Sequence, residues 1–155
     1  MCLPVSKYSI LLISMIAIIV ASCNPDRNLT IREVYTTYTS AVVNSDIQSL
    51  FSTITRNGDF NFITSQGNFL RTRKEYYYFH ELWFREKGWK ISFGEPVIYI
   101  ERKWGLSIAE FHYQQELAAG KSDYLDSFFT LIYHKENGKW KIVADFCTPI
   151  RREIE

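Results

Sequence analysis

The stretch Tyr124-Leu-Asp-Ser-Phe-Phe-Thr-Leu-Ile-Tyr-His-Lys-Glu-Asn-Gly-Lys-Trp-Lys-Ile-Val-Ala-Asp-Phe-Cys-Thr-Pro149 decides the fold. Asn137-Gly138 separates two runs rich in aromatic and β-branched residues. An Asn-Gly pair supplies the two positive φ angles of a type I′ turn, whose twist matches that of antiparallel strands. The spacing therefore predicts a long hairpin at the centre of a sheet, which the rest of the chain covers or extends. Asp126 alternates with Phe128 and Ile132, and Asp145 with Val143 and Cys147. A carboxylate among apolar strand neighbours must find donors or shift its pKa, which is how general bases are poised. The plain alternative is a hydrogen-bonded structural Asp near a strand end.

Upstream of the hairpin the hydrophobic period stays at two. One run extends from Trp89 to Trp104 with a break at Gly94-Glu95-Pro96, a second from Leu106 to Leu117, and Gly120 turns the chain into the hairpin. In the second run Glu110, His112 and Gln114 share one face, and Ala109, Phe111 and Tyr113 the other. Earlier the period is helical. Thr72-x-x-Glu75 reads as a capping box heading a helix with Tyr76, Phe79, His80, Trp83 and Lys87 on one stripe, closed by Gly88. Thr30-x-x-Glu33 and Ser45-x-x-Gln48 read as two further capping boxes. The first helix carries Ile31, Val34, Tyr35, Tyr38 and Val42 on one face, and the second Ile47, Leu50, Phe51 and Ile54. Asn57-Gly58 then breaks the chain, and Asp59 to Thr64 alternates as a strand ending at Gly67. The count is three helices and five strands, an α+β domain over residues 30–150 with a short tail at 151–155.

That order, helix, helix, strand, helix and then four antiparallel strands, resembles the nuclear transport factor 2-like superfamily, which includes the ketosteroid isomerases. The resemblance is strongest to its SnoaL-like group, through Phe129-Thr-Leu-Ile-Tyr133, Asn137-Gly138-Lys139-Trp140-Lys141-Ile142, Asp145 and Pro149. It implies a curved antiparallel sheet wrapped into a cone by the helices, with a site at the mouth between helices and concave face. Isomerase relatives place a carboxylate base near the end of the first strand, where this chain has Ile63, Thr64 and Ser65. A hydroxyl with a pKa far above neutrality cannot take a carbon-bound proton in that way, so steroid isomerase activity is not carried over. Tyr38 falls in the region of the isomerases' oxyanion-binding Tyr.

The candidate pocket residues are Tyr35, Tyr38, Tyr76, His80, Trp83, Asp126 and Asp145, and the candidate catalytic set is Asp145 as base with Tyr38 or His80 as donor. Each has a structural reading beside it: packed tyrosines, a core histidine with one partner, a pinned Asp. His112 and His134 lack metal-ligand spacing, so no metal and no cofactor is expected. Cys147 reads as a small buried hydrophobe. Arg71, Arg73 and Lys74 open the third helix against its dipole, a basic cluster that is either a solvated face or a contact for anionic lipid or ligand.

The amino terminus sets location. Lys7 precedes an apolar run from Tyr8 to Val20, followed by Val20-Ala21-Ser22-Cys23. As a helix the run would span ~20 Å, short of the ~30 Å hydrocarbon core, so a secretory signal is the better reading. Val20 to Cys23 resembles a bacterial lipobox. That resemblance implies cleavage between Ser22 and Cys23, removal of residues 1–22 as a signal peptide, and a diacylglyceryl thioether on Cys23. Two or more acyl chains would hold the protein on a bilayer. Residues 23–29 would form a tether reaching at most ~25 Å. Asn24 is not the Asp that signals inner-membrane retention in enteric bacteria, which favours the outer membrane of the envelope.

The chain carries 18 Lys and Arg against 17 Asp and Glu, and removing residues 1–22 with Lys7 leaves 17 against 17. With no net basic charge, nucleic acid is excluded as an expected partner. Three readings of function stand in this order: a non-catalytic lipoprotein binding a small apolar or amphipathic molecule in the cone, an interaction module that homodimerises through its sheet with a filled pocket, and an acid–base enzyme of the same fold. Exposure of Trp89, Trp104 or Tyr99 on the outer sheet favours the second. Convergence of Asp145, Tyr38 and His80 in an open cavity favours the third.

Overall fold

The computed structural model describes residues 29–58 and 60–154. The signal, the Ser22–Cys23 junction, most of the tether and Asp59 lie outside the described residues. No helix among the described residues is long and apolar enough to cross a membrane.

The chain forms an α+β fold in which helices pack on a curved, unclosed sheet. Helix α1 (Ile31–Val43) opens with the predicted capping box, Thr30 accepting from the Glu33 amide and Glu33 reaching back to Thr30. Its buried face is Ile31, Val34, Tyr35, Tyr38 and Val42. Helix α2 (Ile47–Thr53) begins differently from expectation: its N-cap is Asp46, whose carboxylate accepts from the amides of Gln48 and Ser49. Ser45, read as that cap, instead closes α1. It adopts a φ of 54°, its amide bonds to the Val42 carbonyl, and the Asp46 amide reaches the Ala41 carbonyl, the bond pattern of a Schellman motif.

Strand β1 (Asn61–Ile63) pairs with a two-residue strand β2 (Phe69–Leu70). Helix α3 (Arg73–Trp83) has the Thr72–Glu75 capping box, but it ends before Lys87 and Gly88. The amides of Arg85 and Glu86 bond to the Leu82 and Trp83 carbonyls, three-residue turns that tighten and stop the helix. Gly88, at a φ of 78°, belongs to the turn into the sheet, where its carbonyl accepts from Glu116.

The run from Trp89 to Trp104 contains two strands, β3 (Trp89–Phe93) and β4 (Val97–Glu101), both paired with successive parts of the long β5 (Trp104–Glu116). Strands β6 (Ser122–Glu136) and β7 (Lys139–Ile154) form the predicted hairpin, with φ of 48° and 82° at Asn137 and Gly138. The sheet order is β2-β1-β7-β6-β5-β3, with β4 also on β5, seven strands rather than five. It is mixed: β1 runs parallel to β7, with Phe62 opposite Asp145. Residues 151–154, read as a tail, continue β7, where Arg151 and Arg152 pair with Asp126 and Leu125.

Helix α1 lies tight on the concave face. A Cβ on Gly105 would come within 2.3 Å of Ile31 Cδ1 and 3.1 Å of the Tyr99 carbonyl oxygen, so a side chain at 105 would force Ile31 to move. Phe129, from the centre of β6, stacks on Tyr35 and Tyr38 with ring centroids 5.7 and 6.4 Å apart. These contacts fix α1 over the middle of the hairpin and leave a cavity between the far ends of the sheet and α3.

Candidate functional site

Two register shifts in the hairpin decide which side chains enter the cavity. On β6 the inward set is Asp123, Leu125, Ser127, Phe129, Leu131 and Tyr133, all buried. Their partners on β7 include Cys147 opposite Phe129, Asp145 opposite Leu131 and Ile142 opposite Tyr133. The irregularity between Ile132 and Tyr133 breaks strict alternation, so Asp145 shares its inward face with Ile142 and Cys147 rather than with Val143.

Asp145 is 4% exposed and sits at the inner end of the cavity. Tyr38 donates to its Oδ2 at 2.6 Å, and the Tyr76 hydroxyl lies 3.3 Å from the same oxygen and 2.8 Å from the Tyr38 hydroxyl. Each phenol has one proton. Tyr38 gives its own to Asp145, and the Tyr76 proton is shared between the same carboxylate oxygen and the Tyr38 hydroxyl, so the three groups form a closed triangle. Burial pushes the Asp145 carboxyl up to about 6, and the two phenol hydrogen bonds hold it from rising further. Burial first, and then the charge of Asp145, raise both phenols well above the ordinary tyrosine value. Neither hydroxyl ionises at physiological pH.

His80 lines the same cavity with 2% exposure. Its Nδ1 is 3.0 Å from the Tyr76 carbonyl, which can only accept, so Nδ1 carries the hydrogen and Nε2 the lone pair. Burial among Phe62, Phe79, Trp83 and Phe84 lowers its pKa to about 4, and the ring is neutral. Its ring packs tilted against that of Tyr76 with centroids 4.1 Å apart, which ties it to the Asp145 triangle by packing and not by a direct hydrogen bond.

The cavity has a volume of about 330 Å³, with Phe62, Phe79, Trp83, Phe93, Phe111 and Phe129 among its walls. Toward β6 and the end of β7 it meets an ion pair, Arg152 donating through Nε and a terminal nitrogen to the two oxygens of Asp123 at 2.9 and 2.6 Å. Thr64, at the end of the first strand, is buried on the cavity wall and its Oγ1 accepts from the Gln66 and Asn68 amides. That hydroxyl shapes a loop.

The structure thus brings Tyr38, His80, Trp83 and Asp145 to one cavity, with Tyr76 directly behind them. Two candidates fall elsewhere. Tyr35 gives its hydroxyl to the Gly94 carbonyl at 2.6 Å and does not line the cavity. Asp126 lies on the opposite face of β6, half-exposed, with its carboxylate 2.7 Å from His112 Nδ1. Sequence reasoning missed Asp123 and Arg152. Asp123 falls in the same alternation as Leu125 and Phe129, which is the signal that would have found it. Arg152 lay in the stretch read as a tail. Among the described residues no group of three or more His, Cys, Asp or Glu could hold a metal ion.

A SnoaL-like domain profile matches residues 31–145. No curated protein matches the chain. Solved structures with the same fold include a candidate ketosteroid isomerase from Shewanella frigidimarina, 22% identical, with a TM-score of 0.61 over 74% of this chain and 91% of that one. A hexachlorocyclohexane dehydrochlorinase from Novosphingobium barchaimii is 12% identical, with a TM-score of 0.67 over 81% and 87%. A nuclear transport factor 2-like superfamily protein from Salmonella enterica is 15% identical, with a TM-score of 0.65 over 77% and 87%. At these identities the likenesses speak to fold alone. With the profile covering α1 through the Asp145 strand, this chain belongs to the SnoaL-like domain family, and it shares the helix-on-curved-sheet architecture of those structures.

Proposed function

We propose that the chain is a membrane-tethered lipoprotein of the bacterial envelope, on the outer membrane, whose cavity binds a small apolar or amphipathic molecule. The observation that carries the ligand reading is the combination of an aromatic-walled space of about 330 Å³ with a single buried carboxyl triangle at its inner end. Ligand sites have this composition, mostly apolar walls with a few placed polar groups, and begin at about this size. The same geometry weighs against the acid–base enzyme reading. Tyr38 spends its proton on Asp145 and so is no free oxyanion donor, and His80 has no hydrogen bond to Asp145. Native mass spectrometry of the full chain purified from its own host is expected to show a small molecule that is released on denaturation. Leu125→Trp, which fills the cavity, should abolish it. A wild-type protein that carries no added mass, with its cavity empty in the purified state, would overturn the reading.

The tether rests on Val20-Ala21-Ser22-Cys23 after an apolar run. Cys23→Ala is expected to abolish fatty-acid labelling and leave the precursor uncleaved at that junction; continued labelling would sink the lipoprotein assignment. A second reading, homodimerisation through the outer sheet face, is favoured by one observation: Tyr99 and Trp104 stand 59% and 52% exposed there.

A further inference from the structure

Both phenols of the triangle address the same oxygen of Asp145. Oδ2 takes Tyr38 and Tyr76, whereas Oδ1 accepts no hydrogen bond from any described residue, in a side chain that lines an open cavity. A carboxylate 4% exposed with one oxygen unserved and no cation against it is a half-built ion pair. The neighbours supply no countercharge. From α1 and α3 it meets Tyr38, Tyr76 and a neutral His80; from β6, Tyr133, whose hydroxyl is 2.9 Å from Ser107; from β7, Cys147, whose thiol burial pushes up to about 11. Elsewhere on the cavity wall the charged side chains are Glu86, Asp123 and Arg152, with Tyr113 a further titratable group. Arg152 is held by both oxygens of Asp123, so that pair is neutral and the remainder of the wall is acidic. Aromatic faces add to this, because the ring quadrupole presents its negative side to a cation.

We propose that the cavity recognises an amphipathic amine, its apolar body against the aromatic walls and its protonated nitrogen donating to Oδ1 of Asp145. This rests on the ligand-binding reading above and narrows it to a chemical class. A carboxylate or phosphate ligand would instead bring a like charge against an acidic wall. An alcohol or ketone would leave the Asp145 charge uncompensated. An ammonium group both fills the vacant acceptor and pairs the charge, so its binding holds Asp145 ionised.

The pH dependence follows with a definite sign. An aliphatic amine stays protonated across the acid and neutral range, so the titrating partner is Asp145, whose carboxyl burial places at about 6. At pH 5 about one tenth of it is ionised and at pH 7.5 nearly all, so amine affinity should rise about tenfold over that interval. The experiment is calorimetric titration of the full chain in lipid nanodiscs, with empty nanodiscs subtracted, using two nearly isosteric probes, 2-phenylethylamine and 2-phenylethanol. The amine is expected to bind more tightly than the alcohol at pH 7.5 and to show the tenfold rise, while the alcohol changes less than about twofold. Asp145→Asn should erase both the preference and the pH dependence. Tyr38→Phe removes a hydrogen bond to the ionised carboxylate and should move the midpoint of the amine profile to higher pH. If Asp145→Asn fails to fold, the wild-type and Tyr38→Phe profiles decide alone. An alcohol that binds as tightly as the amine, or an amine affinity flat with pH, would overturn the proposal and leave the ligand-binding reading standing. Binding of neither probe would also overturn it, and the broader reading would then be judged by the molecule sought in the host-purified protein.

Discussion

Asp145 and His80 share one cavity and titrate in opposite senses. The Asp145 carboxyl is raised to about 6 by burial, so its contribution to stability is fully present below the unfolded value and is lost as pH rises through 6. His80 is lowered to about 4, so its contribution is present above the unfolded imidazole value and is lost as pH falls through 4. Each shift corresponds to roughly 3 kcal/mol across its window, and the windows overlap between about pH 4 and about pH 6. The wild-type protein therefore has these two slopes nearly cancelled. Asp145→Asn should expose the histidine slope: its stability relative to wild type, from urea unfolding, is expected to climb by about 3 kcal/mol between pH 4 and 6. His80→Phe should expose the opposite slope. A stability difference between Asp145→Asn and wild type that stays constant over that interval would show that Asp145 does not titrate as its burial requires. Asp145 was legible in the sequence as a carboxylate among strand apolars, but its partners were not. Tyr38 and Tyr76 lie on two helices far away in the chain, and only the packing of both on the hairpin brings their hydroxyls to one oxygen.

The first two helices show where element-level reading succeeds and where it slips by one residue. Thr30 and Thr72 followed by Glu three residues on gave true capping boxes, because side chain and backbone answer each other locally. Ser45-x-x-Gln48 has the same form and is no cap. Two helices joined by so short a connection need a left-handed residue to reverse the chain, and Ser45 takes that role while Asp46 serves as C″ of α1 and N-cap of α2. Asp46→Ala should therefore cost about 1 kcal/mol. Ser45→Gly should stabilise by ~0.5 kcal/mol, since glycine relieves the positive φ at some entropic cost. Thermal unfolding of the two variants checks both signs, and a Ser45→Gly protein less stable than wild type would restore Ser45 as a cap. The same limit explains the strands. The hairpin was readable from Asn137-Gly138 because its turn is local. The break of Trp89–Trp104 at Gly94-Glu95-Pro96 was readable for the same reason, whereas the parallel β1–β7 pair and the extension of β7 to Ile154 depend on partners distant in sequence.

At the scale of the whole molecule, the sheet's two faces are chemically unlike, and the outer one carries an apolar patch over β4 and the adjoining parts of β5 and β6, while the His112–Asp126 pair makes its other end polar. Cross-strand register sets Val97 against Ile108, Tyr99 against Leu106, and Leu106 against Ile132 on that face, with Trp104 beside His134 at a ring distance of 4.4 Å. Val97, Tyr99 and Trp104 are each more than half exposed, and Phe128 is 41% exposed. A contiguous patch of this kind marks a contact surface. A second copy is the occupant that the face can match with itself, since a two-fold axis places the same strands on each other, Trp104 and Tyr99 of each copy meeting apolar neighbours of the other. None of these residues lines the cavity, so the proposed assembly and the proposed ligand binding are separable. Sedimentation equilibrium is expected to show a dimer for the wild-type chain at micromolar concentration. Tyr99→Glu with Trp104→Glu should give a monomer that keeps its ligand, because a buried like charge across the two-fold repels itself. A wild-type protein that sediments as a monomer would remove the dimer reading, whereas a monomeric variant that also loses its ligand would show that the outer face and the cavity are coupled through the sheet.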